Sequence, residues 1–162
     1  MTSLKTKYDI GDEVLVGDVV VSAWESERKL TDSILQNINE FMKTSFNEEV
    51  KLATGHKYAI KKAVKLKTGQ LLPIRGMRLD IWVECVSGKN YIIEVKNPAK
   101  ANYETFKAIG QVLGYAIQFP EATNLVIVST GYDDGFLEIV EKYKLPIDFV
   151  LITETQTFLL KR

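Results

Sequence analysis

The sequence predicts one α/β domain in which a mixed central sheet is flanked by helices. Two stretches of the 162-residue chain, 24–46 and 101–119, carry apolar residues at helical spacing. Strand-like runs rich in β-branched and aromatic residues lie between and after them, most clearly at 78–96 and 124–130. The predicted order is α-β-β-β-α-β-α-β, which favours an α/β fold, and the length is that of a single domain, 1–162.

Residues 1–22 are interpreted as an N-terminal extension or a small hairpin, because Gly17-Asp18 divides two short apolar runs. In the helix predicted over 24–46, Glu27 falls near the centre of the apolar stripe, whereas Glu40 points to the opposite side. Glu27 is therefore interpreted as an acid on the core face; the alternative is an exposed first-turn acid favoured by the helix dipole. The stripe consists of Leu30, Ile34, Leu35, Ile38, Phe41 and Met42.

A half-buried strand is predicted over 57–67, with Val64 and Leu66 pointing inward and the intervening lysines pointing outward. A turn follows at 68–70. The single histidine of the chain, His56, precedes this strand. We interpret it as incidental, because nothing near it in the sequence builds a Ser–His–Asp triad.

The stretch from Arg78 to Lys96 indicates two strands joined by a tight turn at 87–90, where Gly and Asn occur. Glu94 and Lys96 lie two residues apart in an apolar strand, so they share a face. Asp80 lies in the partner strand. Two carboxylates and a lysine in a hydrophobic hairpin are costly to bury unless they pair or hold a metal.

The length of the turn decides whether these three charged residues can meet. A two-residue turn at 88–89 puts Asp80 on the same face as Val95, away from the other two charges. A three-residue turn at 87–89, or a bulge near Asp80, places Asp80 opposite Lys96. A clustered site therefore requires an odd turn or a bulge, and both arrangements remain open at this level.

The helix predicted over 101–119 has two candidate faces. Lys107, Gln111 and Tyr115 recur every four residues and form a polar column on its far side. The column is interpreted either as a functional surface or as an ordinary solvated face. The core-facing stripe consists of Phe106, Ile109, Leu113, Ala116 and Ile117.

After this helix the pattern returns to strands. A fully apolar strand is predicted over 124–130 and a short helix over 135–144, capped by Asp133-Asp134. Two further strands, over 148–153 and 157–160, complete the predicted order.

Charge is unevenly distributed although the net charge is zero. Residues 51–107 carry twelve Lys or Arg and four acids, whereas the segments on either side are acidic. This distribution suggests one positive face that a polyanion could use; the alternative is a solvated strand surface.

Composition excludes several classes of protein. The single cysteine, Cys85, excludes an internal disulfide and an all-cysteine zinc or iron–sulfur site. No apolar run approaches the ~20 residues that span a membrane, and the N-terminus lacks the apolar segment of a signal peptide. We therefore expect an intracellular, cytoplasmic protein with no membrane partner.

Asp80, followed after a short hairpin by Glu94-Val95-Lys96, resembles the PD-(D/E)XK nuclease superfamily. That superfamily includes type II restriction enzymes, archaeal Holliday-junction resolvases and RecB-like exonucleases. Leu79 stands where the proline of the motif would be. The resemblance covers residues 78–115 and implies a restriction-endonuclease-like core with the order α-β-β-β-α-β.

Two further matches refine the resemblance. Gln111 and Tyr115 match the Q-x-x-x-Y motif of the RecB-like branch, and together with residues 94–98 they resemble the nuclease domain of type I restriction motor subunits. Residues 27–30 resemble the start of the first helix of the archaeal resolvases.

The resemblance implies a role for each residue. Asp80 and Glu94 would bind Mg²⁺ or Mn²⁺ together with the backbone carbonyl of Val95. Lys96 would position or deprotonate the attacking water, or stabilise the developing charge. Glu27 would hold a second ion or orient a metal-bound water. Contacts with DNA are implied for Arg78, Lys100, Lys107, Gln111 and Tyr115.

The predicted function is that of a magnesium-dependent deoxyribonuclease acting on ends, branches or sites. The alternative is a non-catalytic nucleic-acid-binding or assembly module with the same fold. Fold alone does not decide between them, but the intact Asp, Glu and Lys favour the enzyme. DNA is the expected partner, and a homodimer or a partner subunit remains open.

Overall fold

The computed structural model describes residues 12–17, 27–58, 63–73, 78–97, 104–152 and 157–161. The helices are α1 (Glu27–Gln36), α2 (Ile38–Phe46), α3 (Glu104–Gln118) and α4 (Phe136–Lys142). The strands are β1 (Asp12–Gly17), β2 (Val50–Tyr58), β3 (Ala63–Lys65), β4 (Leu71–Pro73), β5 (Arg78–Cys85), β6 (Asn90–Lys96), β7 (Asn124–Ser129), β8 (Ile147–Ile152) and β9 (Thr157–Lys161).

Seven of these strands form one mixed sheet in the order β1-β9-β8-β7-β6-β5-β2. The strands β6, β7 and β8 are parallel, because α3 and α4 each return the chain to the end of the sheet where the preceding strand began. All other pairs in this sheet are antiparallel. The predicted α/β class with a mixed sheet is therefore confirmed.

Apolar side chains form a separate core on each face of the sheet. On one face α3 and α4 cover residues such as Trp82, Ile92 and Phe149. On the other face α1 and α2 cover residues such as Ile93 and Val126. Strand β6 is buried on both sides, so its even-numbered residues point toward α3 and its odd-numbered residues toward α1 and α2.

The single N-terminal helix predicted over 24–46 is wrong, because α1 and α2 are separated at Asn37. The Asn37 side chain donates from Nδ2 to the Ser33 carbonyl at 2.9 Å. A side chain that competes for backbone acceptors in this way interrupts a helix. The apolar stripe is largely confirmed, since Leu35 alone among its members is only partly buried. The exposure of Glu40 is confirmed, and residues 24–26 lie outside the described part of the chain.

At the N-terminus, β1 pairs antiparallel with β9 and lies at the end of the seven-strand order. The segment Asp12–Gly17 therefore extends the sheet, which is one of the two predicted alternatives. Residues 1–11 and 18–26 lie outside the described part of the chain.

The strand predicted over 57–67 is also wrong. Strand β2 lies earlier, over Val50–Tyr58, because it pairs with β5. Strands β3 and β4 instead pair with each other as a two-stranded sheet of their own, here called the β3–β4 ribbon. Leu66 is 39% exposed rather than inward-facing, because it lies at the turn of that ribbon.

Helix α3 places a different face on the sheet from the one predicted. Ile117 is 80% exposed, whereas Tyr115 is 3% exposed and packs in the core with Ala108 and Val112. The predicted stripe around Phe106 is only partly buried. Helix α3 is rotated relative to the predicted orientation because Glu104, in its first turn, contacts Lys96 on β6.

The C-terminal elements follow the prediction to within a few residues, with one change of role. Asp133 was expected to cap α4, but its carboxylate accepts hydrogen bonds from the first turn of α3: from Thr105 N at 2.9 Å, Thr105 Oγ1 at 2.6 Å and Phe106 N at 3.2 Å. Among the described residues, no helix is long and apolar enough to cross a membrane.

Candidate active site

The turn between β5 and β6 has three residues, Val86, Ser87 and Gly88. It begins one residue earlier than predicted, because Cys85 N donates to Lys89 O at 2.9 Å. Gly88 has a φ of +92°, a conformation that favours glycine and ends three-residue hairpin turns.

This register decides how the charged residues are arranged. The last paired residues before the site are Ile81 and Ile93. Continuing it by one residue brings Asp80 opposite Glu94 rather than opposite Lys96, so the odd turn predicted for a clustered site is confirmed with a shifted register. Glu94 and Lys96 share the face of Ile92, which α3 covers, and the Asp80 carboxylate lies beside Glu94.

At Asp80 the side chain, rather than the backbone, accepts a hydrogen bond from β6. Its Oδ2 atom accepts a hydrogen bond from Val95 N at 2.8 Å. The Asp80 carboxylate is thereby fixed against β6, beside Glu94. Burial raises the pKa of Asp80, while the Val95 N–H and the Lys96 ammonium oppose that shift.

Lys96 lies between two acids. Its Nζ atom is 3.2 Å from Glu94 Oε1 and 3.7 Å from Glu104 Oε2, and all three residues are buried. Burial lowers the pKa of Lys96, but the carboxylates of Glu94, Glu27 and Glu104 outweigh this effect and raise it overall. The lysine is therefore a stable buried cation.

Glu94 is the most perturbed acid of the site. Burial, followed by repulsion from Asp80, raises its pKa to about 8. Its Oε2 atom is buried and accepts no hydrogen bond. The Tyr115 hydroxyl, which donates to Arg78 O at 3.1 Å, also lies beside Glu94 and lowers that pKa. A buried carboxylate oxygen without a hydrogen-bond partner is unusual in a purely structural ion pair.

Glu27, the first residue of α1, approaches the site from the opposite face of the sheet. Its Oε1 atom accepts a long hydrogen bond from Asn97 N at 3.5 Å, just beyond the end of β6. Burial raises the pKa of Glu27, and the electrostatic influence of Lys96 and Asp80 on it shows that it is close to both.

The predicted DNA-contacting residues divide into three groups. Tyr115 and Gln111 face the sheet, and Gln111 Oε1 is buried without a hydrogen-bond partner. The side chain of Lys107 is 62% exposed and lies 3.4 Å from Glu104. Arg78 is exposed at the start of β5. Lys100 lies outside the described residues. The prediction that this column lies on the far side of α3 is therefore wrong for Gln111 and Tyr115.

Glu104 was missed by the sequence analysis. It begins α3, and it precedes Gln111 by seven residues and Tyr115 by eleven. That spacing puts the three on one helical face and is the signal that could have identified Glu104. The spacing was overlooked because the apolar stripe was assigned to the sheet.

His56 is nearer to the site than its interpretation as incidental implied. The β2–β5 register, in which Gly55 pairs with Ile81 and Lys57 with Leu79, brings His56 opposite Asp80. Its ring nitrogens are buried without hydrogen-bond partners, and Nε2 lies 3.7 Å from Asp32 Oδ1. This proximity could be predicted from the sequence only with β2 placed at Val50–Tyr58.

The donor set fits a hard divalent cation. Carboxylate and carbonyl oxygens are the ligands that such ions prefer, and Glu94 Oε2 and Asp80 supply them on one face. No group of three or more His, Cys, Asp or Glu side chains within the described ranges is arranged to hold a metal. Two carboxylates with a backbone carbonyl and waters suffice for Mg²⁺, which keeps several waters.

Comparison with known proteins does not identify a family for this chain. A scan against protein-family models and a search of curated proteins found no match to this chain. The resemblance of residues 78–115 to the PD-(D/E)XK superfamily stays a prediction.

Proposed function

We propose that this protein is a metal-dependent DNA nuclease that hydrolyses phosphodiester bonds at Asp80, Glu94 and Lys96. The observation that carries the proposal is the convergence of two carboxylates and a buried ammonium at the point where β5 and β6 separate. A purely structural ion pair needs one acid for one base. Here Lys96 has two acids in contact and a third nearby, and Glu94 keeps an unsatisfied oxygen.

The chemistry follows from these charges. A phosphodiester is anionic, so a nucleophile approaches it only where positive charge offsets the repulsion. Lys96 supplies a fixed positive charge in a water-poor setting, where electrostatic stabilisation of a developing negative charge is strong. Its ammonium stays protonated, which favours the roles of orienting water and stabilising charge over that of a base.

A divalent cation fits beside the lysine. Asp80, Glu94 and the Val95 carbonyl would hold Mg²⁺ or Mn²⁺, and the bound ion would supply Lewis-acid polarisation of the phosphate and a more acidic water. Glu27 lies where it can orient a water molecule at the end of β6. The Tyr115 hydroxyl donates a hydrogen bond to the Arg78 carbonyl and so connects α3 to the start of β5.

The order of elements supports the same proposal. Between the N-terminal helices and α3, the main sheet contains three antiparallel strands, β2, β5 and β6, and β7 then adds in parallel. This arrangement is similar to the α-β-β-β-α-β order that the resemblance to the PD-(D/E)XK superfamily implies. Arg78, Lys107 and Lys100 of the basic middle segment are proposed to contact the phosphate backbone.

The direct test is cleavage of supercoiled, linear and branched DNA with Mg²⁺ or Mn²⁺. Glu94→Ala, Asp80→Ala and Lys96→Ala should each reduce cleavage by about a hundredfold or more, because each removes charge that acts in the transition state. Glu40→Ala changes an exposed acid on α2 and should leave the rate unchanged.

Undiminished cleavage by purified Glu94→Ala would contradict the proposal. DNA binding without cleavage by the wild-type protein under all metal conditions would leave the non-catalytic binding module as the better assignment.

A further inference from the structure

The β3–β4 ribbon lies in the chain between β2 and β5, the strand that carries Asp80. Tyr58 at the end of β2 pairs with Arg78 at the start of β5, two residues before Asp80. The ribbon occupies Ala63–Pro73 between them. Five peptide steps connect it to the sheet on each side, so its base lies within about 18 Å of Arg78.

The ribbon presents a basic surface. Every residue from Lys65 to Leu71 is exposed. Residues 50–79 contain eight Lys or Arg and no acid, which is the longest such imbalance in the chain. A basic segment without intervening acids is typical of a surface that binds a polyanion.

The shape of the ribbon selects among nucleic acids. Its two strands are joined by a tight turn in which Leu66 N donates to Gln70 O at 2.8 Å and Gly69 has a φ of +85°. A two-stranded ribbon fits the major groove of B-form DNA, which is about 12 Å wide. The major groove of duplex RNA is too deep and narrow for side chains to read.

Single strands are a poorer match for this segment. Proteins that bind single-stranded nucleic acid stack its bases on aromatic side chains. Residues 59–77 contain no Phe, Trp or Tyr. The exposed apolar side chains of the ribbon, Leu66 and Leu71, are of the kind that contact thymine methyl groups in the major groove.

We propose that the β3–β4 ribbon enters the major groove of double-stranded B-form DNA and thereby holds the duplex against the candidate active site. This inference rests on the nuclease function proposed above, and it deepens that function by making duplex DNA the substrate. Lys65 and Lys67 contact phosphates on the edges of the groove.

Binding is measured by fluorescence anisotropy with a short duplex DNA, one of its single strands and a duplex RNA of the same sequence. A chelator is present, so that cleavage does not occur. The test variant is Lys65→Gln/Lys67→Gln. The matched control is Lys89→Gln/Lys142→Gln, because both of these exposed lysines lie at the far end of the sheet, beside the β5–β6 turn and in the last turn of α4.

The wild-type protein should bind duplex DNA about tenfold more tightly than the other two ligands. The ribbon variant should lose about tenfold in duplex affinity. The slope of log K against log salt concentration should become shallower by about 2, which is about one for each phosphate contact removed. The control variant should match the wild type. Methyl green, a major-groove ligand, should compete with the wild-type protein for the duplex.

Equal losses in the ribbon and control variants would overturn the proposal, as would tighter binding of single-stranded DNA or duplex RNA. Thermal melting establishes that both variants remain folded. If the wild-type protein binds duplex DNA through the ribbon but cleaves nothing, the nuclease function fails and the ribbon proposal stands. If cleavage is intact and the ribbon variant binds like wild type, the ribbon proposal alone fails.

Discussion

Glu94 is subject to opposing forces that can be compared directly. Burial and the neighbouring Asp80 favour its neutral form, while Lys96 at 3.2 Å favours the carboxylate. The first two effects prevail, since its pKa is raised from 4.5 to about 8. A buried acid whose pKa is raised in this way destabilises the metal-free protein, and such acids are typically functional rather than structural.

The first prediction concerns pH. Because burial and Asp80 raise the pKa of Glu94 from 4.5 to about 8, we expect the folded, metal-free protein to hold the Glu94 proton at pH values where the unfolded chain releases it. The stabilising contribution of the neutral carboxyl is therefore full below pH 4.5 and is lost as pH rises toward 8. In metal-free protein, Glu94→Gln should gain about 2 kcal/mol over wild type near the upper end of this window and almost nothing at its lower end.

Urea unfolding with a chelator at several pH values measures this difference. Glu40→Gln, on the exposed side of α2, should run parallel to wild type throughout. A Glu94→Gln gain that did not change with pH would show that the carboxyl keeps an ordinary pKa.

Tyr115 carries the second prediction. Its hydroxyl is the donor for the Arg78 carbonyl, at 3.1 Å. Tyr115→Phe should lower the free energy of unfolding by about 1 kcal/mol, because the hydrogen bond between α3 and the start of β5 is lost. The control Tyr143→Phe removes a hydroxyl from a residue that is 64% exposed and should have almost no effect. Equal effects in denaturant titrations would argue against this hydrogen bond.

At the scale of elements, α3 depends on a loop that follows β7. Asp133 accepts three hydrogen bonds from Thr105 and Phe106. Helix N-termini leave N–H groups without partners, and an acid there also interacts favourably with the helix dipole. This contact positions the first turn of α3, and with it Glu104 beside Lys96.

The third prediction is that Asp133→Ala lowers the free energy of unfolding by about 2 kcal/mol, since several hydrogen bonds to one carboxylate are lost together. It should also slow DNA cleavage, because Glu104 would no longer be held near Lys96. Glu141→Ala, an exposed acid on α4, is the control. Unfolding and cleavage that both matched the control would exclude this role for Asp133.

Elements also show which parts of the fold were predictable from sequence. Strands β5, β6 and β7 could be located because their apolar runs are long and β-branched, and the shared face of Glu94 and Lys96 follows from alternation alone. The buried face of α3 could not be predicted from periodicity. It is set by contacts of Glu104 and Tyr115 with residues distant in sequence, which override an apolar stripe that includes Ile117.

The break at Asn37 and the position of β2 have different explanations. Helical periodicity continues across Asn37, where the side chain donates to Ser33 O and competes with the backbone for that acceptor. Strand β2 has weak alternation, and its place depends on pairing with β5. A local hydrogen bond therefore decided the first case, and tertiary pairing decided the second and also how close His56 lies to Asp80.

At the scale of the molecule, the site lies where the antiparallel and parallel parts of the sheet meet. Strand β6 pairs antiparallel with β5 and parallel with β7. Residues from both faces of the sheet meet at the end of this strand, with Glu27 on one side and Glu104 on the other. A cation bound there would link both cores.

The fourth prediction follows from that linkage. Because an ion that binds only the folded state stabilises it, Mn²⁺ at about a hundredfold excess over its Kd should add about 2.7 kcal/mol. For a domain of this size we expect the melting temperature to rise by about 5 °C or more. Asp80→Ala and Glu94→Ala should abolish the rise, and Lys96→Ala should keep it. Differential scanning calorimetry measures the shift, and equal shifts in all four proteins would place the ion elsewhere.

The three-residue turn at Val86–Gly88 has a consequence for how this protein can vary in length. Adding two residues there would move the strand along its neighbour and leave each side chain on its own side. Adding one would exchange the two sides of β6 and drive Glu94 and Lys96 into the apolar layer under α1 and α2. The length of this turn in homologous chains should therefore differ only by even numbers of residues.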